Sequence, residues 1–382
     1  MDRRQSNQSN RQSRASLITL IVLAFLLLVA ALVLVLLLPD DENWRLTSST
    51  AAPAADLPGI VCDATEAQGL YPLADGVIRL TGSRIAYLDI RGTERFVVDI
   101  DFAAPFAVQR GDYLLAADRD GHDYVLLSPE GAVFSGSLGG LVCGAAIGPD
   151  GQVALIQDQQ GSTGVVTVLE AGSGRHLFDC LFPQSGYVLS VAFPDTGGIF
   201  DVLLVNTDGA TIQPIIKRFR SSGEAIGQLL PDSGRLYPGL LHDAAGNPVL
   251  VGANQLIALS YQQDSLLWQQ AYHQVAAVAA GSTGLFVLAG DRADGLLGAS
   301  LVDSAGKRTD LLEVGDSVAV PDVLGDQIAF ASGSRVLVVD SRKNRLIWDQ
   351  NLSADVVRLQ FVDQDNLTVV TNNGVYAVRC RD

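Results

Sequence analysis

From residue 57 to the end of the chain, hydrophobic residues come in short runs broken by Gly, Asp, Ser and Asn, the pattern of brief strands joined by tight turns. One phrase recurs. An apolar strand ends on a polar residue, a turn follows, and a second strand begins, as in "VLVVDSRKNRLIW" at residues 336–348. The first polar residue of successive copies is Asp89, Ser128, Glu170, Ser221, Ser260, Asp303, Asp340 and Arg379, a spacing of roughly 40 residues. Two further strands precede each copy, as in "LVCGAAIGPDGQVALIQD", where Gly151 lets the backbone reverse.

Four short strands per period describe a β-propeller blade, so the fold class is all-β and the architecture an eight-bladed β-propeller. Blades are expected to start near Gly69, Ala104, Gly139, Ser185, Arg235, His273, Asp316 and Ala354. The fourth period is longer than the rest, which leaves seven blades and an insertion as the alternative. The last copy ends after three strands. The apolar segment "LPGIVCD", residues 57–63, has no partner of its own and is expected to pair beside Val375–Arg379, closing the ring and removing its free edges.

Ahead of the propeller, residues 17–38 form an apolar run whose length at about 1.5 Å per residue suits a transmembrane helix. It exceeds a signal-peptide core and no small-x-small cleavage pattern follows it. Arg3, Arg4, Arg11 and Arg14 precede it while Asp40, Asp41 and Glu42 follow, which places the tail 1–16 in the cytoplasm and residues 57–382 outside. The Pro-, Ser- and Ala-rich stretch 39–56 reads as a linker. The expectation is a single-pass membrane protein with an extracytoplasmic propeller.

Charge narrows the partners. Removing the tail's four arginines and Asp2 from totals of 26 Lys and Arg and 42 Asp and Glu leaves 22 basic and 41 acidic side chains. Such a domain is repelled by phosphate backbones, which argues against nucleic acid.

Candidate chemistry is sparse. His122, His176, His242 and His273 show no metal-ligand spacing and read as loop or surface residues. "DRDGHD", residues 118–123, has alternating oxygen ligands like a calcium loop but lacks a closing glutamate, and it falls where a blade needs a hairpin turn. No Asp-box, GxSxG elbow or phosphate-binding glycine loop is present. No catalytic, cofactor or metal residues are assigned, and no cofactor is expected. Cys62 and Cys380 fall on the two strands expected to meet at the closure, where a disulfide and a pair of buried free thiols are both open. Cys143 and Cys180, on the first and last strands of one blade, lie too far apart to bond.

The phrases "IALSYQQDSLLWQQA" and "VLVVDSRKNRLIWDQNL" resemble the repeat of quinoprotein-type (PQQ-like) propellers. By that resemblance Trp268 and Trp348 match the docking tryptophan that packs between neighbouring blades; Phe96, Phe134 and Phe178 stand near that point elsewhere. The whole layout also resembles uncharacterised membrane-anchored propeller proteins of clostridia. Quinoprotein-like propellers include quinone- and calcium-dependent dehydrogenases as well as non-catalytic protein-binding members. The adjacent cysteine pair of many such enzymes is missing here, which favours a scaffold for an envelope protein or a wall polymer over an enzyme or a small-ligand sensor.

Overall fold

The computed structural model describes residues 59–159, 162–183, 186–315 and 317–380. They form eight four-stranded antiparallel sheets. Seven are simple meanders of consecutive strands, whose members we call a to d from the inner edge outward. Blade 1 is Leu70–Leu73, Gly76–Leu80, Arg84–Asp89 and Glu94–Asp99. The later inner strands start at Pro105, Leu141, Tyr187, Gly239, Gln274, Val318 and Val356, each close to the expected position. The long fourth period is a complete blade, its middle strands Ile199–Asn206 and Gln213–Arg220 being extended rather than interrupted. Eight blades therefore replace the alternative of seven.

Strand position explains residue choice. Strands b and c lie between two neighbouring sheets, so Gln255–Ser260 and Leu285–Gly290 are buried at every position. Outer strands meet solvent, and Glu94–Asp99 alternates between exposed and half-buried residues. The repeated polar residue closing strand c ties down the following turn. Asp89 Oδ1 accepts from the amides of Arg91 and Thr93, Asp303 Oδ1 from those of Ala305 and Lys307, and Ser260 Oγ from those of Gln262 and Gln263.

Blade 8 is completed from the other end of the sequence, in the order Ile60–Val61, Gly374–Arg379, Asn366–Thr371, Val356–Asp363. The pairing is shorter and shifted from the expected one: Ile60 faces Val375 and Val61 faces Gly374, and the Cys62 amide donates to Asn373 O. A helix, Ala64–Gln68, then leads into blade 1. Its N-terminus carries a capping box in which Asp63 accepts from the Thr65 and Glu66 amides and Glu66 accepts from the Asp63 amide.

The apolar run 17–38, the tail 1–16 and the linker 39–56 lie outside the described residues. Among the described residues, no helix is long and apolar enough to cross a membrane.

Candidate functional site

Each blade presents its a–b and c–d turns on one face of the ring and its d–a connections and b–c turns on the other. Both faces carry features that the strand pattern alone does not explain.

On the a–b face, side chains bridge the inner strands from blade to blade. Gln360 of blade 8 donates to Gly111 O of blade 2, and Gln109 donates to Pro72 O of blade 1. The Asp322 carboxylate of blade 7 accepts from the Phe361 amide of blade 8 at 2.7 Å. Arg110, at the end of the blade 2 inner strand, donates from Nη1 to Ile147 O and Phe193 O, both at 3.0 Å, and from Nη2 to Asp195. Beside Arg110 a cavity of about 370 Å³ opens between the inner-strand ends of blades 2 to 6.

His242 lines the same cavity. It closes the blade 5 inner strand Gly239–His242, and its ring is held by a buried cluster spanning blades 4 and 5. His242 Nε2 lies 2.8 Å from Asp201 Oδ2, and Arg218 donates to both Asp201 oxygens at 2.9 and 2.7 Å. The Tyr261 hydroxyl donates to Asp201 Oδ1, and the Arg218 guanidinium stacks 4.1 Å from the Tyr261 ring. Asp201 is wholly buried. Burial opposes its charge, but the hydrogen bonds from Arg218 and His242 outweigh that and hold its carboxyl below the ordinary value. Burial and the neighbouring Asp201 charge push the Tyr261 hydroxyl up, so it stays a donor. Nε2 faces an ionised carboxylate, so it is the ring nitrogen that donates in this pair. Nδ1 is buried and has no partner among the described residues.

His242 therefore departs from the expectation for the four histidines. The other three follow it: His122 Nδ1 lies by the carbonyls of Leu138 and Gly140, exposed His176 pairs with Asp179, and His273 is exposed in the connection between blades 5 and 6. The Asp201–His242 pair was hidden in the sequence because 41 residues separate its members. That separation is itself the signal, since one repeat period brings equivalent levels of adjacent blades together. "DRDGHD" forms the hairpin turn between Tyr113–Asp118 and Asp123–Ser128, with Asp118 accepting from the Ala104 amide.

On the d–a face, Leu141, Leu181, Tyr187, Leu230 and Leu236 are exposed apolar residues spread along an arc of blades 3 to 5, and Leu296 of blade 6 and Val61 of blade 8 are exposed on the same face. The first five are 38% to 63% exposed, at the ends of outer strands and the starts of inner ones.

The anticipated seam residues are placed as follows. Trp268 packs between Leu256 and Ala258 of its own blade and Leu285, Val287 and Val302 of blade 6. Trp348 packs in the seam of blades 7 and 8 with Leu359 and Phe361. Cys62 and Cys380 are both free. Antiparallel pairing sets Cys62 beside Asn373, at the opposite end of the strand from Cys380. Seven residues at about 3.4 Å each far exceed the roughly 6 Å Cα separation of a disulfide. Their side chains also enter different seams, Cys62 with Leu70 and Val77, and Cys380 with Val336 and Val338. The free-thiol reading replaces the disulfide. Cys143 and Cys180, on the inner and outer strands of blade 3, are free as well.

Residues 60–380 match a model described as "Family of unknown function (DUF5711)". No curated protein matches the sequence. Among solved structures, the chain is similar to BamB from Moraxella catarrhalis, with 16% identity, a TM-score of 0.51, and coverage of 85% of this chain and 98% of BamB. It is also similar to Chaetomium thermophilum Sqt1 bound to the N-terminus of ribosomal protein L10, with 14% identity, a TM-score of 0.54, and coverage of 80% and 93%. Virginiamycin B lyase from Staphylococcus aureus matches with 12% identity and a TM-score of 0.47 over 71% of this chain and 94% of the lyase. At these identities the likeness to BamB and Sqt1 is one of fold.

Proposed function

The chain belongs to this family of unknown function, and we propose that it is a membrane-anchored extracytoplasmic scaffold that docks an envelope protein on its d–a face without catalysis or a cofactor. The exposed apolar residues Leu141, Leu181, Tyr187, Leu230 and Leu236 carry the reading, since large apolar side chains left in solvent along one face suit protein association. The acidic balance of the domain selects the partner: a surface with an apolar centre and a basic rim. Sqt1, a propeller of similar fold, is bound to the N-terminus of another protein, which supports propellers of this shape taking up protein segments. The apolar run 17–38, with arginines before it and acidic residues after it, supports the anchor and its orientation.

The test is co-purification from solubilised envelopes using the full-length chain and a variant carrying Leu181→Ser, Tyr187→Ser and Leu230→Ser. A protein retained by the wild type and lost by the variant supports docking on the arc. Equal recovery with both overturns it. Protease added to intact cells should cut the propeller and spare the tail; a protected propeller overturns the orientation.

A further inference from the structure

We propose that the seam between blades 4 and 5 is a socket for one apolar side chain, leucine or phenylalanine, carried by a segment of the partner protein with a lysine or arginine beside it. The proposal rests on the docking reading above and names what the partner inserts.

This seam is built differently from its neighbours. Phe134, Phe178 and Trp268 stand on outer strands against Gly174, Gly223 and Gly306, positive-φ glycines in the next blade's c–d turn. Between blades 4 and 5 both partners are exchanged. Where Phe178 pairs with Val168 and Trp268 with Ala258, the outer strand of blade 4 sets Gly227 against Arg218, and the positive-φ residue of the blade 5 turn is Asp264. The Tyr261 ring comes from that same turn and lies over Gly227, where a Cβ would meet it at 2.7 Å. Blade 4 therefore sends no ring into the seam.

A cavity of about 150 Å³ is left there, with Leu229, Leu230, Ile257, Leu259 and Leu266 as its apolar lining. Leu230 and Leu266 are 62% and 48% exposed, so the cavity is open to solvent. A void of that volume holds a benzene-sized group. Its polar end is already satisfied: Gln255 Oε1 accepts from Arg235 and Gln269, and Gln255 Nε2 donates to the Tyr237 hydroxyl. That network fixes the shape in advance and offers little to an entering polar group, whereas an apolar one gains by burial.

Charge selects what flanks the anchor. Asp232 and Asp264 line the cavity, both are exposed, and neither forms an ion pair among the described residues. The basic lining residue, Arg235, is engaged by Gln255. Two free carboxylates against one occupied guanidinium favour a cationic neighbour.

Short random peptides displayed on phage are selected on the full-length chain in detergent. Enriched sequences are expected to share one leucine or phenylalanine with lysine or arginine within two positions. Replacing that anchor by alanine should weaken binding at least about tenfold. Ser265→Trp, which sets a ring at an exposed lining position, should do the same, and Asp232→Asn combined with Asp264→Asn should weaken binding about fivefold. No enrichment, enriched peptides without a shared apolar residue, or undiminished binding to Ser265→Trp overturns the proposal. The envelope co-purification separates it from the docking reading. A protein lost by the Leu181, Tyr187 and Leu230 variant but still retained by Ser265→Trp overturns the socket and leaves docking on the d–a face standing; a protein lost by both supports the socket.

Discussion

Gly306 lies against the Trp268 ring across the seam between blades 5 and 6. A Cβ at Gly306 would come within 2.5 Å of Trp268 Cβ and Cγ, and the residue holds φ near +80°. The same relationship joins Phe134 to Gly174 and Phe178 to Gly223, in each case a ring on strand d and a positive-φ glycine in the next blade's c–d turn. Blades therefore dock through a large ring seated on a residue without a side chain. Gly306→Ala is expected to destabilise the propeller by about 2–4 kcal/mol, adding overpacking to left-handed backbone strain. Urea denaturation of the two proteins checks it, and an unchanged midpoint contradicts this account of docking.

Asp201 is the only acceptor that the Arg218, His242 and Tyr261 side chains share among the described residues. Asp201→Asn leaves the mostly buried Arg218 without its counter-charge, and is expected to cost about 3 kcal/mol. Denaturant unfolding measures the loss, and a neutral substitution would show that the cluster adds nothing to the union of blades 4 and 5.

Burial pushes the Asp322 carboxyl up to about 6, against partial relief from the Phe361 and Val323 amides. A carboxyl whose value is raised on folding stabilises the native state below its unfolded value near 4, and that contribution fades as pH rises through the folded value. Stability should therefore fall between about pH 4 and pH 7, by up to about 3 kcal/mol from this group. Asp322→Asn should flatten the slope in thermal melts across that window. A slope unchanged in the variant assigns it elsewhere.

Burial, with Asp179 nearby, pushes the Cys180 thiol up to about 12, and burial likewise raises Cys62, Cys143 and Cys380. Only Cys143 is partly exposed. Iodoacetamide at pH 8 is expected to label Cys143 slowly and the other three after denaturation, with identical gel mobility under reducing and non-reducing conditions. A shift in mobility on reduction would restore the Cys62–Cys380 bond.

The ring was legible because each blade repeats a local necessity. Asp89, Ser260 and Asp303 must cap the turn after strand c, and that marker survives when the tryptophan does not. Existence of the closure was readable from an unpartnered apolar segment; its register was not, because two residues of pairing offer little pattern to choose between shifts. The helix Ala64–Gln68 escaped notice since five residues show no periodicity, although Asp63 and Glu66 have capping-box spacing. Arg110, Asp195 and His242 come from three blades, and only the folded ring reveals that they line one cavity.

Docking on the d–a face is tested most directly by photo-crosslinking in intact cells, with a photoreactive residue at Leu181, Tyr187 or Leu230 and, as controls, at Leu324 or Val362 on the a–b face. The account predicts a discrete protein adduct from the first three positions and none from the controls. Adducts from both faces alike, or from neither, would contradict it.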